Sequence, residues 1–140
     1  MTSSLIERLL VAPSVERGLA CGGHLLAALS TETGYSFPDS HACLLWTSNG
    51  VTSYGGYFRL FSAGPAEHVF DLATWNAPET WRFAWPSRLD EFVFFGETAW
   101  GDQYAYRVED LRSHVEPAVY CLEAVTLQPE PLASSFDDFI

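Results

Sequence analysis

Residues Phe92 to Tyr106 read FVFFGETAWGDQYAY, and the architecture of the chain turns on what this stretch becomes. An aromatic run, FVFFG, is followed by the loop Thr98-Ala99-Trp100-Gly101 and then by DQYAYRV, which predicts two antiparallel strands closed into a hairpin. In the second run Tyr104, Tyr106 and Val108 alternate with Gln103, Ala105 and Arg107, the period-two pattern of a sheet with one face buried. The hairpin carries two carboxylates at its tip, Glu97 and Asp102. They are either an acid/base pair or the means by which a loop is shaped and a partner met.

Working outward, short aromatic and β-branched runs separated by Gly, Pro, Asn and Asp predict further strands at Tyr57 to Phe61, at WRFAW (81–85) and at AVYCLEAV (118–125). Gly55-Gly56 is expected to turn the chain from a helix into the first of these strands. VTLQPEPLA (125–133) is expected to be a loop because of its prolines. The N-terminal half has helical spacing instead. Ser4-Leu5-Ile6-Glu7 has the form of a capping box, and Leu5, Ile6, Leu9 and Leu10 recur helically until Pro13. A second helix is expected from about His24 to Glu32, with Gly34 at its C-terminus. A third starts at Pro38, carries Ala42, Leu45 and Trp46, and stops at Asn49-Gly50. Ser134 or Ser135 caps a short final helix in SFDDFI. The expectation is one α+β domain over residues 1–140, with a twisted antiparallel sheet of about five or six strands, N-terminal helices and a short C-terminal helix. Alternating βα units, and with them a nucleotide-binding parallel sheet, are absent.

Composition narrows the function. The 140 residues are 48% hydrophobic and 18% charged, with 5 Trp, 6 Tyr and 10 Phe, which is the makeup of a folded domain. The formal charge is −11, and all seven positive residues are Arg. The absence of Lys excludes Schiff-base chemistry and the phosphate-loop lysine. Acidity argues against direct binding to nucleic acid or to an anionic membrane, and it favours a basic partner. The N-terminus lacks the features of a signal peptide, and no window has the length of a membrane span. Cys21, Cys43 and Cys121 are odd in number and widely spaced, as expected of reduced thiols in a cytoplasmic protein.

Few residues are arranged for chemistry. Paired carboxylates at glycosidase separation come as a rule from separate elements lining a cleft, whereas one hairpin supplies both Glu97 and Asp102. Asp beside Gly is ordinary turn chemistry. Cys21-Gly22-Gly23-His24 and His41-Ala42-Cys43 lack the paired spacings of zinc modules, and His68 and His114 are isolated, so no metal or other cofactor is expected. Neither a nucleophile elbow nor a His-Glu-x-x-His motif occurs. Trp75, Trp81, Trp85 and Trp100, with Tyr54, Tyr57 and Tyr104, form either core or a stacking surface for sugars.

Taken in order, several segments resemble the SUKH superfamily, which includes bacterial immunity proteins against polymorphic toxins and fungal cell-wall-synthesis regulators. They are Gly34-Tyr35-Ser36-Phe37-Pro38-Asp39, the helix Ala42 to Trp46 closing at Asn49-Gly50, and the strand Tyr57 to Phe61. Downstream come Phe94-Phe95-Gly96 with Gly101-Asp102-Gln103-Tyr104-Ala105-Tyr106, then Val119-Tyr120, then Ser135 to Ile140. The similarity covers about Gly34 to Ile140; the first 33 residues match poorly. It implies a fold without catalytic residues that acts by binding protein, in toxin systems as a stoichiometric inhibitor of an effector that is often a nuclease. On that basis Gly96, Gly101, Asp102 and Tyr104 are expected to build the hairpin, with the two glycines letting it turn. Asp90, Glu91, Glu97, Trp100, Trp75 and Trp81 are expected to meet a basic protein partner, and the chain is expected to be a monomer. The alternatives are a regulatory scaffold that binds a host protein, and a carbohydrate-binding protein.

Overall fold

Seven strands, each hydrogen-bonded to the next in sequence, make one antiparallel sheet in the computed structural model of the chain, which describes residues 7–9, 11, 15–17, 34–64, 69, 71–77, 90–113 and 116–140. The strands are β1 (Val15–Arg17), β2 (Val51–Ser53), β3 (Phe58–Leu60), β4 (Phe92–Thr98), β5 (Gln103–Arg107), β6 (Val119–Leu122) and β7 (Pro129–Ala133). Between them lie α1 (Asp39–Thr47), α2 (Leu72–Asn76) and α3 (Val108–Arg112), and α4 (Phe136–Phe139) follows β7. The fold is α+β with an antiparallel sheet, as the hairpin stretch implied. Residues 7–9 are helical, with the Val11 N–H donating to the Glu7 carbonyl at 3.2 Å. The helix expected at His24 to Glu32 and the strand expected at WRFAW lie outside the described residues.

Four expectations need correction. Gly55-Gly56 turns β2 into β3, not a helix into a strand, because Val51–Ser53 already pairs with Phe58–Leu60. Part of VTLQPEPLA is a strand. Pro129 and Pro131 are accommodated because β7 is the last strand of the sheet and one side of it needs no donors. The strand begun at Gln103 ends at Arg107, and Val108 opens α3. The strand expected at 118–125 ends at Leu122, where a turn leads to β7.

One face of the sheet holds the main core. Val51, Leu60, Val93, Phe95 and Tyr106 pack there against Leu44 and Leu45 of α1, Leu111 of α3 and Phe136 of α4. Phe92, Phe94, Ala105 and Leu122 form a second cluster, with Trp75, Tyr120 and Leu127 against it. Alternation along β4 lets one strand serve both, and a β-bulge then shifts the pattern. The register with β5 runs Phe92↔Arg107, Val93↔Tyr106 and Phe94↔Ala105, then resumes at Gly96↔Tyr104 and Glu97↔Gln103. The extra residue puts Phe95 and Gly96 together on the core face. Glu97 is thereby returned to the side of Phe94; without the slip its carboxylate would enter the core.

A candidate interaction surface at the short-turn end

In a meander of seven strands alternate connections fall at the same end. The registers place the β2–β3 turn, the β4–β5 turn and the β6–β7 turn together, since Ser53↔Phe58, Phe58↔Thr98, Glu97↔Gln103, Gln103↔Leu122 and Leu122↔Pro129 are all paired. The long connections, which carry all of α1, α2 and α3, lie at the other end. Four of the seven large hydrophobic side chains exposed among the described residues sit on the short turns: Tyr54 at 68%, Tyr57 at 54%, Trp100 at 70% and Val125 at 87%. A large apolar side chain taken out of water contributes roughly 1.5 to 3 kcal/mol, and these four stand in water.

The turns are stitched to one another. The Ala99 N–H donates to the Tyr57 carbonyl at 3.2 Å, which ties the second turn to the first. The Ala124 N–H donates to Asp102 Oδ1 at 2.8 Å, which ties the third to the second. The rings of Tyr57 and Trp100 meet at 5.1 Å between centroids with their planes tilted by 38°. Tyr54, Gly55 and Gly56 have φ of 51°, 66° and 99°, a left-handed run that glycine adopts freely and tyrosine does not. Gly101 completes the β4–β5 turn at φ 89°.

The two carboxylates of the opening stretch are both engaged inside the chain. Arg59, Glu97 and Gln103 form one cross-strand row over β3, β4 and β5. Arg59 Nη1 donates to Glu97 Oε1 at 3.2 Å, and Gln103 Nε2 reaches Glu97 Oε2 at a long 3.5 Å. Gln103 Oε1 in turn accepts the indole N–H of Trp75 at 2.9 Å. Glu97 is only 8% exposed. Asp102 is held by Ala124, and its own N–H donates to Thr98 Oγ1 at 3.2 Å.

The remaining site residues fall elsewhere. Gly96 is not in the turn but inside β4, where a Cβ would lie 2.6 Å from the Arg59 carbonyl oxygen and 2.9 Å from Leu60 Cδ2. Its role is close packing of β3 on β4, so the expectation that it lets the hairpin turn is corrected. Tyr104 is half-buried against Phe58 and Phe139, and burial raises its phenol pKa. Trp75 lies on α2, half-buried against both clusters. Asp90 and Glu91 are exposed, but they precede β4 and so lie at the opposite end from Trp100, about 20 Å away at strand rise. There they line a groove of about 530 Å³ with Arg107, Glu109 and Arg112. No small patch can contain both them and Trp100. Trp81 lies outside the described residues, as do Trp85, Cys21, His24, His68 and His114.

The sequence groups Tyr54 and Tyr57 with Trp100, but only among seven aromatics read as core or as a stacking surface for sugars, and it does not single out these three as neighbours. The signal that could have joined them is the parity of turns in a meander, which requires β2 and β7 to be recognised as strands.

His41 belongs to the core. Phe37, Phe95, Tyr106 and Phe136 surround its ring, with Phe136 stacked at 4.3 Å. His41 Nδ1 lies 2.8 Å from the Tyr106 hydroxyl and Nε2 has no partner among the described residues. Burial lowers the imidazole pKa to about 3. Among the described residues no three His, Cys, Asp or Glu side chains come together as a metal site would require. Cys43 and Cys121 are in no disulfide among the described residues. No helix of the described residues is long and apolar enough to cross a membrane.

Residues 24–140 match the SMI1 / KNR4 family (SUKH-1), a span that begins ten residues before the similarity seen in the sequence motifs. No curated protein matches the chain.

Proposed function

The chain belongs to the SMI1 / KNR4 family (SUKH-1), and from that premise we propose that it is a non-enzymatic, protein-binding domain whose partner is a toxic effector that it neutralises one to one in the cytoplasm. The observation that carries this proposal is the exposed aromatic end of the sheet, where Tyr54, Tyr57, Trp100 and Val125 project from three turns bound to one another. Rigid aromatic side chains on tethered turns give contact area at low entropic cost, the property of a protein-binding face. A hydrolytic role has less support, because Glu97 is committed to Arg59 and Asp102 to a backbone amide. The formal charge of −11 favours a basic effector, such as a nuclease that grips phosphates.

The direct test is co-expression with the product of the neighbouring gene. A complex that co-purifies and an effector whose toxicity disappears are expected. A neighbour that is toxic, binds nothing and remains toxic would overturn the proposal in favour of a regulatory scaffold.

A further inference from the structure

The aromatic end of the sheet has a chemical preference that can be read from what surrounds its rings. The three turns, 54–57, 99–102 and 123–128, contain Asp102 and Glu123 and not one Arg or Lys. The nearest described cation, Arg59, has its guanidinium beside Gly56 and is paired with Glu97 at 3.2 Å. Tyr57 and Trp100, tilted by 38° at 5.1 Å, pack on each other, and both side chains are more than half exposed. A tilted pair does not offer the one broad plane on which a sugar stacks. Val125, almost fully in water, sits on the adjoining β6–β7 turn two residues after Glu123. Indole and phenol faces attract cations, and apolar surface beside them accepts the methylene stem of a long basic side chain.

The backbone gives a second, independent sign. Tyr54 keeps a positive φ of 51° and an exposed ring although Gly55 and Gly56 follow it and supply left-handed geometry without strain. Strain of this kind persists where the surrounding structure holds it, and it gathers at binding and active sites.

We infer that Tyr54, Tyr57 and Trp100 form a cation–π docking face, flanked by Asp102 and Glu123, for arginine or lysine side chains on the surface of a protein partner. This rests on the protein-binding proposal and gives that partner its contact chemistry. Cationic groups lie over the solvent-facing sides of the Tyr and Trp rings, and the two carboxylates balance their charge. The groove near Asp90 and Glu91 is not part of this face.

The test uses the full chain and three probes followed by NMR: a blocked Arg-Gly-Arg peptide, its neutral citrulline counterpart, and a chito-oligosaccharide. The arginine peptide should shift the Trp100 indole N–H and the Tyr54 and Tyr57 ring signals, with the citrulline peptide at least about tenfold weaker and the sugar inert. Trp100→Ala, an exposed position that the core does not need, should abolish those shifts. Equal shifts from arginine and citrulline, shifts confined to the Asp90 groove, or a response to the sugar alone would overturn the inference. Protection in co-expression separates the two ideas. A Trp100→Ala chain that protects with unchanged affinity sinks the docking face and leaves neutralisation intact. Arginine-selective shifts in a chain that protects against nothing support the face and sink neutralisation.

Discussion

Two single residues illustrate how tightly the hairpin and core are determined. Gly96 has an ordinary backbone conformation, so its requirement is spatial. A methyl group there would meet the Arg59 carbonyl at 2.6 Å, and backbone cannot swing aside as the end of a side chain can. Gly96→Ala should therefore destabilise the fold by about 2 kcal/mol or more, read as a lower urea midpoint; a change of a few tenths would mean that β3 and β4 slide apart easily. His41 makes a different demand. Its imidazole pKa is lowered by burial from 6.5 to about 3, so between those values the unfolded chain binds a proton that the folded chain refuses. Stability must then fall as pH drops below 6.5, by about 1.4 kcal/mol per unit at the steepest. From pH 6.5 to 5, before most carboxylates titrate, the native chain should lose about 1.5 kcal/mol more than a His41→Phe variant. Parallel stability curves for the two would show that His41 takes up its proton as readily folded as unfolded.

At the scale of elements, one side chain of α2 straps it to the backbone of β4. Asn76, its last residue, donates from Nδ2 to the Phe94 carbonyl at 2.8 Å and accepts the Phe94 N–H at Oδ1, also at 2.8 Å. This amide bridges to β4 beside the bulge, on the stretch that β3 does not pair, since the β3 register reaches only Gly96. Asn76→Ala should cost about 2 kcal/mol, because two backbone groups of a fully buried residue lose these bonds. It should also speed amide exchange at Phe94 ahead of Val93. Unchanged protection at Phe94 would mean that the strand satisfies itself. Such straps explain what the sequence did and did not disclose. Pro38 and Asn49-Gly50 bracket α1 by local chemistry, and the alternation of Gln103 to Arg107 marks β5 by period; both signals are contained in neighbouring residues. β1 and β2 are three residues long, too short for any period to register, and α2 and α3 are five residues each. These elements exist because of contacts distant in sequence. β7 was concealed by its prolines, which exclude a central strand but not one at the edge.

For the molecule as a whole, the site was legible only in pieces. Trp100 stood out in its hairpin, but its companions Tyr54, Tyr57 and Val125 come from turns up to seventy residues apart and are joined only by the order of the sheet. Asp90 and Glu91, close to Trp100 in sequence, are separated from it by the full length of β4. Net charge has no such address, and it makes its prediction for the molecule entire. A chain with a formal charge of −11 repels itself when folded and attracts a basic partner from a distance. Added salt shortens both fields, from about 10 Å at 0.1 M to about 3 Å at 1 M. Folding stability should therefore hold or rise modestly between 20 and 500 mM NaCl, while the association rate with the neutralised effector falls on the order of tenfold. Because folding stability does not fall, slower binding at high salt cannot be attributed to unfolding. If the proposed docking face holds the complex, dissociation should change less than association, since ring–cation contacts at short range are screened weakly by salt. Stopped-flow mixing at the two salt concentrations separates the rates. An association rate indifferent to salt would mean that the acidity of the chain serves solubility alone, and that the aromatic end finds its partner without electrostatic guidance.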